Sequence, residues 1–82
     1  GQDIGVGDVN WQILGRNFAI SGGLIEGAVI RAKAWATGQN ELLTTAYLLA
    51  SLARELEKNN RSTNEVYIPE YRDEVEALLD GD

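Results

Sequence analysis

Few side chains in this sequence are equipped for chemistry. Histidine and cysteine are both absent from its 82 residues, which removes imidazole bases, thiolate nucleophiles, disulfides and every zinc site built on those ligands. A serine nucleophile needs an activating base; with no histidine to supply one, Ser21 reads as a helix cap. Carboxylates remain. Glu55 and Glu57 point to different faces of a helix, which is poor geometry for an acid–base pair. Glu70, Asp73 and Glu74 can share a face and could meet a divalent cation, but a run of like charge is more often a solvated surface. No GxxxxGK followed by Ser or Thr occurs, so no phosphate loop of that type is present. Gly5 and Gly7 lack a preceding strand, and Gly22-Gly23 opens a helix without the third spaced glycine of a dinucleotide fingerprint. Independent catalysis is not expected.

Charge narrows the partners. The formal net charge is −6, and it is unevenly placed. Acids and bases balance through residue 61, while the tail from Ser62 sets seven carboxylates against Arg72 alone. No basic stripe is available to neutralise phosphates along a backbone, so nucleic-acid binding by this chain alone is not expected. No run of about 18 apolar residues is present, which predicts no membrane span. Hydrophobic residues make up 44%, enough for a folded domain, and the lack of cysteine is compatible with the cytoplasm. The chain has no methionine and starts Gly1-Gln2, which reads as an excised segment behind a cleaved tag.

These residues must be held by helices. Residues 1–8, rich in Gly and Asp, read as a flexible lead-in. Over 9–18, Trp11, Leu14 and Phe18 recur at helical spacing, with Asp8 or Asn10 as cap and Gly15 as a weak point. Ser21 caps a second helix, whose broad apolar face is Leu24, Ile25, Ala28, Val29, Ala32, Trp35 and Ala36. Gly38 is its expected stop, and Gly27 with the alanines suggests close approach of another helix. Leu42 and Leu43 can dock back on the core. Thr44 or Thr45 caps a third helix running to about Asn60, with Leu48, Leu49, Leu52, Ala53 and Leu56 inward; Arg54 and Lys58 suit its C-terminal dipole. After a polar connector over 61–67, Pro69 fits the first turn of a final helix. There Ile68, Tyr71, Val75, Leu78 and Leu79 form a stripe, with Glu70, Asp73, Glu74 and Glu76 opposite. That helix is expected to dock on the bundle or on a partner.

Two residue types leave alternatives open. Trp11 and Trp35 fall in helical apolar patterns, so core packing is the default and exposure at an interdomain or intersubunit contact the alternative. Arg31 is either a solvated charge with its stem over apolar surface or a cation aimed at a neighbour's phosphate or carboxylate.

From residue 9 to residue 61 the chain resembles the C-terminal helical lid of an AAA+ ATPase. "VNWQILGRNFAISGGLIEGAVIRAKAWA" resembles the lid's short helix, its connector ending in Ser-Gly-Gly, and its alanine-rich long helix. "LLTTAYLLASLARELEKNNR" resembles the family's last helix, which begins near a Thr and ends Arg-Glu-x-x-Lys-x-x-Arg, here Arg54, Glu55, Lys58 and Arg61. Where close relatives carry Gly-Gly-x-Ile-Arg-Asn, the arginine being the nucleotide sensor, this chain has Gly22-Gly23-Leu24-Ile25-Glu26-Gly27. Glu26 takes the sensor's place, and a carboxylate facing triphosphate is repelled. Arg31 matches a basic residue common further along the same helix, displaced from the sensor position.

The resemblance implies an all-α fold, a small bundle of three to four helices over 9–61; beyond Arg61 the family pattern gives out, and the residues themselves predict an acidic tail with a short helix over 62–82. The resemblance also implies a noncatalytic lid that needs no cofactor alone, within a hexameric parent that binds ATP and Mg through a separate large α/β domain. Ser21, Gly22, Gly23 and Glu26 would lie nearest the nucleotide. Trp11, Arg31, Trp35 and Tyr71 would meet the large domain or a neighbouring subunit. A free-standing adaptor whose acidic final helix recruits a protein partner is the alternative.

Overall fold

A computed structural model describes residues 9–12 and 22–81. Three α-helices carry the fold: α1 over Gly22–Gly38, α2 over Thr45–Lys58 and α3 over Arg72–Asp80, with 3-10 turns at Thr63–Val66 and Pro69–Tyr71 between α2 and α3. Helix α2 is central, and α1 and α3 each pack against it. Among the described residues there is no sheet, and no helix is long and apolar enough to cross a membrane. The Cα radius of gyration is 11.9 Å, close to the roughly 12 Å of a compact domain this long.

The central place of α2 follows from its composition. Leu48, Leu49, Leu52, Ala53 and Leu56 are buried as the spacing predicts, but Thr45, Ala46, Tyr47, Ala50 and Ser51 are buried too. The first two turns are therefore enclosed nearly all round, which a one-sided amphipathic reading does not anticipate. Each buried leucine contributes about 1.5–3 kcal/mol relative to exposure. Thr44, not Thr45, is the N-cap: it is extended, and its hydroxyl accepts the Tyr47 N–H at 3.4 Å. The Thr45 hydroxyl instead accepts the Asn10 N–H at 2.8 Å, tying residues 9–12 to the start of α2. Leu43 is fully buried just before this cap, whereas Leu42 is exposed.

Helix α1 meets α2 through Ala28, Ala32 and Ala36, all essentially inaccessible. These fall at i, i+4, i+8, one stripe of small side chains on which a neighbour can rest. Gly27 does not belong to that contact. A Cβ placed there would meet nothing within 4 Å, so close approach comes from the alanines alone. Leu24, Ile25, Val29 and Trp35 are partly buried against the core, while Ile30 remains exposed.

Both long helices stop on asparagine. Asn40 has φ 61° and Asn60 has φ 58°. Glu41 N–H donates to Ala36 O (2.9 Å) and Asn40 N–H to Thr37 O (2.9 Å); Arg61 N–H donates to Leu56 O (2.8 Å) and Asn60 N–H to Glu57 O (3.1 Å). Each set is a Schellman closure with the left-handed residue just past the C-cap. Gly38, the expected stop, is the last residue of α1, and no described glycine has positive φ.

The connector after α2 is ordered by its own polar side chains. The Ser62 hydroxyl accepts the Asn64 N–H at 3.1 Å and starts the first 3-10 turn. Val66 and Ile68 turn inward, and Tyr67 between them stays exposed. Pro69 occupies the first position of the second turn, where its missing N–H is no loss. Tyr71, Val75 and Leu78 then pack on the core. Glu70, Asp73, Glu74 and Glu76 are exposed. The sequence stretch 1–8, most of the expected 9–18 helix, and Ser21 lie outside the described residues, where only Trp11 and Gln12 of that helix are seen as helical.

Candidate functional site

Polar side chains converge in a cleft between α1 and α2. Ser51, Arg54, Glu55 and Lys58 stand at i, i+3, i+4 and i+7 on α2, so they share one face. Arg31 and Trp35, four apart on α1, face them. Together the six line a cavity of about 190 Å³.

The geometry has three layers. At the mouth, Arg31 Nε donates to Glu55 Oε2 at 2.8 Å, and Lys58 Nζ lies 3.6 Å from the same oxygen. One carboxylate is thus shared by two cations. On one wall, the Arg54 guanidinium stacks over the Trp35 ring, 4.2 Å from its centre. Such a stack contributes about 0.5–1 kcal/mol when exposed and more as water is excluded. Behind the ring, Trp35 meets Tyr47 edge-on, centroids 5.6 Å apart at 77°.

Tyr47 is fastened in turn. Its hydroxyl donates to Glu41 Oε1 at 2.7 Å. Burial, this hydrogen bond and the carboxylate's negative charge, in that order, push the phenol up to about 12. All three disfavour the phenolate. A continuous line therefore runs Glu41–Tyr47–Trp35–Arg54, from the loop after α1 to the cleft.

At the base, Ser51 is buried, and its hydroxyl has no hydrogen-bond partner among the described residues. Helical serines usually bond back to the preceding turn, and a buried hydroxyl left unpaired costs about 1–3 kcal/mol. Arg31, Arg54, Lys58 and Glu55 are the charged residues that line the cleft.

A second depression lies on the opposite flank of α2, about 210 Å³, between Leu49, Ala53, Val66, Ile68, Val75 and Leu79. Glu57, Arg72 and Glu76 stand with these apolar residues in its lining. Among the described residues no group of three or more acidic side chains is arranged to hold a metal ion, Glu70, Asp73 and Glu74 included.

The residues singled out in the sequence fall in three places. Gly22 and Gly23 begin α1, with Glu26 exposed one turn on; Ser21 is outside the described residues. Trp11 is 50% exposed, while Tyr71 is half-buried against the core. Arg31 and Trp35 are brought together in the cleft. Arg31 remains exposed and pairs with Glu55 of the same chain. Ser51 carries no motif and Glu55 reads only as part of a helix ending, but the i, i+3, i+4, i+7 spacing through Lys58 is the signal by which the α2 half could be found.

No family model matches this chain, and no curated protein or solved structure matches it.

Proposed function

We propose that the chain is a noncatalytic helical lid of an oligomeric ATPase of the AAA+ type. It would close over nucleotide held by a separate large domain and relay its state between subunits. The observation that carries this reading is the unshared apolar surface of α1. Its inner stripe is satisfied by α2, yet Ile30 is 68% exposed on another side, and Trp11 and Leu42 are each about half exposed. A helix that is apolar beyond one face suits burial against a further body. The large domain of the same chain is that body in this reading.

ATP and Mg are not held by the lid. Glu26 replaces the sensor arginine and Arg31 is engaged with Glu55, so the lid acts by position and rigid packing. The test has two parts. The purified chain, titrated with Mg-ATP by calorimetry, should give no hydrolysis and at most weak heat. Extending the reading frame upstream should reveal a domain with both Walker motifs, and joining it should restore ATPase activity. An upstream region of ordinary length without those motifs sinks the reading.

One observation favours a second reading, a protein adaptor. Glu70, Asp73, Glu74 and Glu76 are all exposed while Val75 and Leu78 pack inward, so the carboxylates are displayed without cost to the fold. Reversing the four charges should abolish capture of a basic partner and leave the helical spectrum intact. Binding that survives reversal and high salt excludes electrostatic capture.

A further inference from the structure

We propose that the groove formed by α2, the 3-10 connector and α3 is the docking site for a basic amphipathic peptide segment of a partner protein. One large apolar side chain of that segment enters the groove, and lysines or arginines beside it meet the rim. The proposal rests on the adaptor reading and names the chemistry of its partner.

The interior of the groove is apolar. Leu49, Ala53, Val66 and Ile68 are buried and form its floor. Val75 and Leu79 are half-buried and line its α3 side. Tyr67 is 53% exposed in the same lining, an aromatic of the kind enriched at protein contacts. Sites for whole organic ligands run from about 300 Å³ upward, so about 210 Å³ suits a single side chain.

The rim decides the charge that must flank that side chain. Glu57 of α2 and Glu76 of α3 are exposed members of the lining. Neither belongs to an ion pair among the described residues. Arg72 is the one cation of the lining, and Asp73 already engages it. Its Nε donates to Asp73 Oδ1 at 3.2 Å, and Nη2 lies 3.2 Å from the same oxygen. The rim thus offers two carboxylates and no uncommitted cation. Glu70 and Glu74, exposed nearby in sequence, add to a negative field that attracts basic segments and repels acidic ones.

Three fluorescein-labelled helical peptides serve as probes. The first sets lysines and alanines around one central leucine, the second replaces that leucine by alanine, and the third replaces every lysine of the first by glutamate. Anisotropy is read at fixed ionic strength. The leucine peptide should bind saturably, the alanine peptide about tenfold more weakly, and the glutamate peptide not at all. Leu79→Ala should weaken the leucine peptide about threefold and leave the alanine peptide unchanged, a selectivity that a damaged fold cannot imitate. Glu57→Gln combined with Glu76→Gln should weaken both lysine peptides about fivefold. Circular dichroism checks that each variant retains its helices. Equal binding of the leucine and alanine peptides overturns the groove and leaves capture by the acidic face standing; binding of neither removes both readings. Affinity for the leucine peptide unchanged in both variants also overturns the proposal. Sedimentation of the chain alone should show a monomer; self-association abolished by Leu79→Ala assigns the groove to a second copy instead and overturns it as well.

Discussion

The Arg54 guanidinium lies over the indole of Trp35, 4.2 Å from the ring centre, so a cation of α2 meets an aromatic of α1. The pair joins the two longest helices at the point where the alanine seam ends. Its strength is measurable as a coupling. Arg54→Ala should lower stability by about 1 kcal/mol, and Trp35→Ala by about 2–4 kcal/mol because packing on Tyr47 is lost as well. In a double-mutant cycle by urea unfolding, about 0.5–1 kcal/mol should be shared. Additive losses would mean that the stack contributes nothing in solution.

Tyr47 gives the molecule an alkaline edge. Its folded-state pKa is raised from 10 to about 12, so between these values the folded chain binds more protons than the unfolded one. Stability is complete below about pH 10 and falls as pH rises towards 12. The loss attributable to Tyr47 is on the order of 2 kcal/mol. Tyr47→Phe should cost about 0.5–1.5 kcal/mol at pH 7 through the missing hydrogen bond. It should also flatten the alkaline decline. Denaturant midpoints of both proteins from pH 8 to 12 test this, and parallel curves would refute the assignment.

The alanine seam predicts opposite responses to added bulk. Ala32 is fully buried against α2, and Ala32→Leu should cost about 1–3 kcal/mol by overpacking. Gly27 sits five residues earlier in the same helix, and its added Cβ meets nothing within 4 Å. Gly27→Ala should stabilise by about 0.5–1 kcal/mol through helix propensity alone. Thermal melts of the two variants should move in opposite directions.

Much of this was legible in the residues and some was not. The apolar stripes of α2 and α3 show in the 3.6-residue period, and so does the cap at Thr44 or Thr45, because both depend on local chain geometry. The enclosure of Thr45, Ala46, Ala50 and Ser51 depends on how many neighbours surround α2, which periodicity does not encode. The helix ends at Gly38 and at Asn59-Asn60 were legible, but not that Asn40 takes the left-handed position after Gly38, because glycine is the commoner residue there. The cleft escaped because its halves are 16 or more residues apart in sequence, from Arg31 and Trp35 to Ser51. Only packing brings them together.

Those stops can be tested by substitution. Asn40→Gly and Asn60→Gly should be neutral or stabilising by a few tenths of a kcal/mol, since glycine takes positive φ freely. Asn60→Val should cost about 1–2 kcal/mol, because a β-branched residue is forced into the left-handed region. Equal stability of the valine and glycine variants would show that the turn relaxes to another conformation.

The outer helices rest chiefly on α2 rather than on each other, so the molecule should come apart in stages. Either flank can peel away while the opposite flank stays seated, whereas no arrangement keeps both once the centre melts. Native-state hydrogen exchange should show this as two separate sets of fast-opening amides, one in Gly22–Gly38 and one in Arg72–Asp80. The slowest amides should lie in the Leu48–Leu56 stretch and exchange only with global unfolding. A ligand bridging α2 and α3 would then slow the second set and leave the first unchanged.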